Sequence, residues 1–249
     1  MSKCIFCLNE STSFDRIEHI VPESLGNDDL VLPLGFVCNS CNQYFGTKIE
    51  QKVLSHRPFG VERVMAGVKS KKGKYPNYRR EDGSLMMQST GYTDTILLIG
   101  DQNRIQMGTP IYIPCDLDQP SNILRLMLKM GLELLCLSEN HSPYGDKLDM
   151  CRKHARYGIP GLIWDLGYAI IPRHKLLEIE NNYEPITQNQ TLYRYEMGQL
   201  INGDIIFSFI YRCHVFIVCL TGVSLESYQT YSSICLHELF DLKIVKTKL

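Results

Sequence analysis

Four cysteines fall within the first 41 residues as two C-x2-C pairs, Cys4 with Cys7 and Cys38 with Cys41. Four thiolates in that pattern suit a tetrahedral structural zinc ion. Between the pairs runs Asp15-Arg16-Ile17-Glu18-His19-Ile20-Val21-Pro22-Glu23-Ser24-Leu25-Gly26-Asn27, and after Cys41 come Asn42 and Gln43-Tyr44-Phe45-Gly46. Glu18 can ligate a hard divalent cation through oxygen. His19 can stay off the metal and take a proton from water near neutral pH. Asn42 follows the last cysteine, so zinc would fix its backbone and make its amide oxygen a second ligand. A cation held by few protein ligands keeps positions open for phosphate and water, which phosphodiester hydrolysis requires. Neighbouring side chains on an extended segment point to opposite faces, so Glu18 and His19 share one site only where the backbone is twisted or bulged.

This segment resembles the HNH endonucleases of the ββα-metal class in their zinc-stapled form: C-x2-C, an acid-His dyad with Ile-x-Pro and a Ser-Leu-Gly turn, then C-x2-C-Asn with Phe-Gly behind it. The resemblance spans roughly residues 4 to 50. It implies Glu18 as acidic metal ligand, His19 as general base, Asn42 as the third signature residue and second ligand, and Cys4, Cys7, Cys38 and Cys41 as structural zinc ligands. It also implies Mg2+ or Mn2+ as the catalytic ion, DNA as substrate, and products with 5′-phosphate and 3′-hydroxyl ends. Lys48, on the following helix, would lie near a phosphate. Two positions depart from the pattern. Glu18 stands where Asp is common, and Pro33 stands where a loop-bracing Asn is usual, with Asn27 the nearest alternative at a different spacing.

Residues 1–58 carry five Lys or Arg against seven Asp or Glu, so this module is net negative and cannot gather DNA alone. The next stretch supplies the opposite charge. Lys69, Lys71, Lys72, Lys74, Arg79 and Arg80 lie within Lys69 to Arg80 with no acid among them, a local charge of +6. Phosphate contact is the functional use of such a run, and a solvated loop is the alternative. Tyr75 and Tyr78 interleave with it and could stack on bases.

The whole chain has 249 residues and a net charge of −1, so any polyanion site must be a local patch. With 44% hydrophobic and 21% charged residues, a disordered or collagen-like chain is excluded. No secretory signal opens the sequence, so a cytoplasmic protein is expected. In such a reducing compartment the scattered cysteines at 115, 136, 151, 213, 219 and 235 read as small core residues. Ile205 to Val223 is apolar but carries Arg212 and His214, and reads as buried sheet rather than a membrane span.

The expected fold class is α+β. An HNH module over 1–58 precedes an α+β domain over 59–249 with a central helix and an antiparallel sheet, and Arg57-Pro58-Phe59-Gly60 marks the boundary. The first module is too small to fold without a staple. Cys38 to Ser55 reads as a loop passing into a helix. Ser121 is expected to cap an apolar helix to Leu137. Strands are expected at Thr95–Ile99, Pro110–Ile113, Tyr168–Ile171, Thr191–Leu200, Asp204–Tyr211, His214–Leu220 and Ser232–Leu239, with a type I′ turn at Asn202-Gly203. Asp149, Arg152, Lys153, His154 and Arg156 read as a salt-bridged helix surface, with a phosphate or ligand contact of the second domain as the alternative; at helical spacing Arg152 and Arg156 share one face. The second domain is expected to serve target recognition, regulation or partner binding, including a homodimer, and restriction or antiphage defence is the setting that analogy suggests. A zinc-stapled binding module without catalysis, and a nuclease gated by a partner or ligand, are the alternative functions.

Overall fold

The structure is a computed structural model, and it describes residues 2–10, 13–70, 73–83, 85–90, 96–100, 117–138, 142–172, 175, 192–226, 228 and 241–248. The expected strands at 110–113 and 232–239, and residues Lys71, Lys72, Cys115 and Cys235, lie outside them.

The N-terminal segment has ββα order. Strand β1 (Glu18–His19) pairs antiparallel with β2 (Val31–Leu32), Glu18 opposite Leu32. Helix α1 (Asn39–Tyr44) starts directly after Cys38, continues through a wide π turn (Phe45–Glu50) and ends as α2 (Gln51–Ser55). The expected loop after Cys38 is therefore absent: its extended backbone caps a helix that already contains Cys41 and Asn42. Gly46 faces open space within the π turn, so the position carries no packing load.

Helix α3 (Phe59–Ala66) follows at once, and β3 (Asn77–Arg79), β4 (Leu85–Ser89) and β5 (Ile96–Gly100) form a small antiparallel sheet beside it. Helix α4 (Pro120–Leu135) is the expected central helix. Its N-cap is Gln119 rather than Ser121, because Pro120 supplies the first helical residue and the Ser121 hydroxyl donates to the Lys248 carbonyl instead. Helix α5 (Asp149–Tyr157) packs on α4.

The main sheet is antiparallel in the order β10 (Lys243–Lys248), β6 (Ile163–Ile170), β9 (His214–Cys219), β8 (Ile205–Tyr211), β7 (Tyr193–Gln199). The apolar stretch from Ile205 is thus a buried hairpin, with Arg212 at its turn. The β7–β8 loop is not type I′. Leu200 pairs with Asp204, leaving three loop residues, and Gly203 accepts the left-handed conformation at φ 86°. A type I turn with a glycine bulge is the normal solution at that length.

One hydrophobic core unites the two halves. It runs from Ile5, Phe6, Leu25 and Phe45 through Phe59 and α4 to Trp164, Phe207 and Phe216. Gly26 shows how close the halves come: at φ 91° it lies under Leu192, and a Cβ there would sit 2.6 Å from the Leu192 Cδ1. Cys151 and Cys219 are buried apolar thiols as expected, whereas Cys136 and Cys213 are partly exposed.

Candidate active site

The four cysteines converge, with all four Sγ atoms within 4.8 Å of one another. Cys7 Sγ lies 3.7 Å from Cys38 Sγ. A tetrahedron with Zn–S bonds of about 2.3 Å has edges near 3.8 Å, so the donors fit structural zinc in type and spacing. The Cys41 thiol, by hydrogen bonding, holds Cys4 down at about 4, while burial pushes Cys7 up to about 11. Arg156 Nε donates to Cys41 Sγ at 3.3 Å and its guanidinium lies 3.7 Å from the Tyr44 ring centroid, placing a positive charge against the thiolate cluster.

The helix α5 cluster is only in part a salt-bridged surface: Arg152 pairs with Asp149 and Lys153 is exposed, but the remaining polar groups turn inward. Arg152 and His154 are each 1% exposed. Arg152 Nε donates to the Ile5 carbonyl at 3.0 Å, inside the first cysteine pair, and a second guanidinium nitrogen donates to the Pro143 carbonyl at 2.6 Å. Arg152 and Arg156 do share a helix face, and that face binds the cysteine knuckle.

Glu18 is 6% exposed and points at α4. Its Oε1 lies 2.6 Å from Lys129 Nζ, and its Oε2 has no hydrogen-bond partner. Burial raises the Glu18 pKa, while Lys129 and the Asn42 amide pull it down. Asn42 Nδ2 donates to the Ile17 carbonyl at 3.0 Å, which ties α1 to the residue before Glu18. Glu18 offers a buried carboxylate oxygen of the kind a hard cation takes, while Asn42 turns its Nδ2, not the amide oxygen expected as a ligand, toward Ile17 and Glu18.

His19 turns elsewhere. Its Nε2 lies 2.9 Å from Glu23 Oε1, while its backbone carbonyl accepts from Lys129 Nζ at 2.9 Å. The structure thus brings Glu18 and Asn42 together and sets the His19 ring beside Glu23. The position usually held by a loop-bracing asparagine is Pro33, and Asn27 does the bracing. Fully buried, Asn27 donates to the Val21 and Leu30 carbonyls at 2.6 and 3.0 Å. Its Oδ1 accepts from the Leu30 amide at 2.8 Å and from the Tyr193 hydroxyl at 3.1 Å.

Among the basic residues, Lys48, Lys69, Lys74 and Arg79 are exposed and Arg80 is half-buried. Lys71 and Lys72 lie outside the described residues. Tyr78 is buried against Val61, Val64, Leu85 and Met87 and cannot stack on a base. Tyr75 lies under Lys69, whose Nζ is 4.8 Å from the ring centroid. An open groove of about 800 Å³ runs from Gly46 and Glu50 to Arg63, Lys74 and Tyr75, joining the π turn to the basic run. Arg63 also donates to the Ser24 and Leu54 carbonyls, at 2.7 and 3.0 Å, which fixes the wall between β1 and α2.

A second group of metal-type donors, Glu62, Cys213 and His214, lies at the β8–β9 turn. Its carboxylate is already engaged by Arg212 at 2.9 Å and His214 at 3.2 Å, and His214 Nδ1 lies 2.8 Å from the Tyr168 hydroxyl. This network ties α3 to the sheet. No helix among the described residues is long and apolar enough to cross a membrane.

Residues 4–58 match the family described as HNH endonuclease. Nothing among curated proteins and nothing among solved structures matches the chain. The family match covers the two cysteine pairs, Glu18, His19 and Asn42, and it supports nuclease-type hydrolysis of a nucleic acid as the chemistry of this segment. Reading the sequence gave no role to Lys129, Glu23 or Glu50, and it placed Arg156 beside Arg152 on one helix face without seeing its contact with Cys41. Lys129 and Glu23 had a signal, a lysine and a glutamate four residues from other polar positions; Glu50 and Arg156 act through tertiary contacts that no spacing encodes.

Proposed function

We propose that this chain is a metal-dependent DNA endonuclease. The observation that carries the reading is the buried Glu18 carboxylate, with one oxygen unpartnered and Asn42 beside it, in a segment that matches HNH endonucleases. Glu18 and Asn42 would hold Mg2+ or Mn2+, and the bound ion would supply charge stabilisation to the scissile phosphate and the departing 3′-oxygen. His19 takes the proton from water. With Nε2–H donated to Glu23, the ring lone pair is on Nδ1, and the carboxylate stabilises the imidazolium that forms. Cys4, Cys7, Cys38 and Cys41 hold zinc as a scaffold, and Arg156 offsets part of its thiolate charge. Lys48, Lys69, Lys71, Lys72, Lys74, Arg79 and Arg80 contact phosphates, and Lys74 does so from the wall of the groove. Residues 1–58 carry the cutting chemistry, and 59–249 add recognition, regulation or partner binding, with restriction or antiphage defence as the setting by analogy.

A second reading, nucleic-acid binding without cleavage, draws on Lys129: an ammonium already sits on Glu18 Oε1. Plasmid nicking with Mg2+ or Mn2+ separates the two. The endonuclease reading expects cutting by the wild type and its loss in His19→Ala, with zinc and fold retained. Intact DNA binding with no cutting under either metal supports the second reading. Cutting that appears only with an added partner or ligand identifies a gated nuclease.

A further inference from the structure

The polar residues of α4 form a stripe. Arg125, Lys129 and Glu133 recur every four residues, share one helix face, and are all buried in an otherwise apolar helix. That face meets the N-terminal segment, where Arg125 donates to the Tyr44 hydroxyl at 2.6 Å. Lys129 is wholly buried, and its Nζ lies 2.6 Å from Glu18 Oε1, 3.0 Å from Glu133 Oε2 and 3.3 Å from Glu50 Oε1. The same nitrogen donates to the His19 carbonyl at 2.9 Å and reaches the Ile20 carbonyl at 3.5 Å. A buried ammonium among three carboxylates is costly to assemble, and apolar residues in place of the whole cluster would serve packing more cheaply, so the cluster calls for a task beyond packing.

We propose that Lys129 is a positioning residue for the nuclease site. Its ammonium clamps one oxygen of Glu18 and the backbone carbonyls of His19 and Ile20, which sets β1 and leaves Glu18 Oε2 as the oxygen for a divalent cation. Glu133 holds Lys129 from one turn along α4. Glu50, which also lines the groove, ties the same ammonium to the π turn. The helix at 120–135 is thereby part of the cutting site, and the segment at 4–58 does not complete it alone. The inference rests on Glu18 as a metal ligand.

The test uses the full zinc-loaded chain and Mn2+ as probe. Mn2+ binding is read by water proton relaxation, and plasmid nicking is followed across the same Mn2+ series. Wild type should bind Mn2+ in a way that Glu18→Gln abolishes. Lys129→Met should raise half-saturating Mn2+ about tenfold or more in both assays, as removal of a ligand's supporting partner does, with zinc content unchanged. Lys129→Arg should recover part of that loss. Because Lys129→Met strands buried carboxylates, Lys129→Met/Glu133→Gln is made in parallel. If neither Met variant folds, Lys129→Arg decides, and a wild-type Mn2+ curve in that variant overturns the proposal. A folded Met variant with the wild-type Mn2+ curve and rate also overturns it. Failure of the wild type to cut, with Glu18-dependent Mn2+ binding weakened in Lys129→Met, removes the nuclease reading and keeps the clamp. Cutting with Mn2+ binding indifferent to Glu18 removes the clamp as stated.

Discussion

Arg152→Ala tests whether the cysteine knuckle and the second half of the chain are one packed unit. The guanidinium is buried and donates to the Ile5 and Pro143 carbonyls, at 3.0 and 2.6 Å. Its ion pair with Asp149 adds little, because that carboxylate side chain is 44% exposed. Truncation leaves two buried carbonyls without donors. At about 1.5–3 kcal/mol for each charge-assisted bond, the loss is ~3–6 kcal/mol. For a chain of this length that lowers the melting temperature by about 6–24 °C. Thermal melting of zinc-loaded protein, followed by circular dichroism, is the assay. Arg152→Met keeps most of the stem and so separates packing from hydrogen bonding; it should recover only a minor part of the loss. Chelation acts on the same loop, so its effect and that of Arg152→Ala should not add. A melting temperature for Arg152→Ala within about 2 °C of wild type would show that the knuckle is not held by α5.

Neighbouring residues set three more expectations. His154 is buried on Trp164, and its Nδ1 accepts from the Ile159 amide at 3.1 Å; burial, with help from Arg125, depresses its pKa to about 4. The unfolded chain therefore binds a proton near pH 6.5 that the folded chain refuses, so stability is full above that pH and falls by about 3 kcal/mol on acidification to pH 4. His154→Gln should flatten that part of the denaturant-midpoint profile, and an unchanged slope would remove His154 as its source. Arg156→Ala strips a cation from Cys41, so zinc release to a chromogenic chelator should speed by about tenfold, against no change if the arginine is incidental. Lys69→Ala/Lys74→Ala should lower the salt slope of DNA binding by about 0.9 for each phosphate no longer neutralised; an identical slope would make the run a solvated loop.

The cysteine cluster was legible because tetrahedral thiolate sites fix both residue type and spacing. Cys4, Cys7, Cys38 and Cys41 meet as their spacing predicts, and the ββα order around Glu18 and His19 follows from the same segment. The central helix and the β8–β9 hairpin were legible from apolar patterning. What the sequence hid depends on tertiary contact. The α4 stripe reads as polar interruption of an apolar helix until Glu18 is seen against it. Asn27 braces its loop from a different spacing, because Tyr193 comes in from the sheet to share its oxygen. Ser121 has the right chemistry for a cap, but the neighbouring Lys248 carbonyl takes its hydroxyl. Strand β10 sets exposed Lys243, Lys246 and Lys248 among half-buried Ile244 and Val245 and buried Thr247 at a sheet edge, a weak signal that charge conceals. Tyr78 lies in a basic run yet belongs to a small core, since only α3 reveals which side of the ribbon is covered.

The proposed mechanism requires Glu18 and Asn42 to hold a divalent cation beside His19 on a zinc-stapled scaffold. A crystal soaked in Mn2+, measured for anomalous scattering at the zinc and manganese edges, tests this requirement. Zinc is expected among the four thiolates and manganese bonded to Glu18 Oε2 and Asn42, with Lys129 still on Oε1. Zinc in place with no manganese at Glu18, the Lys129 ammonium remaining its sole cation, would refute the mechanism.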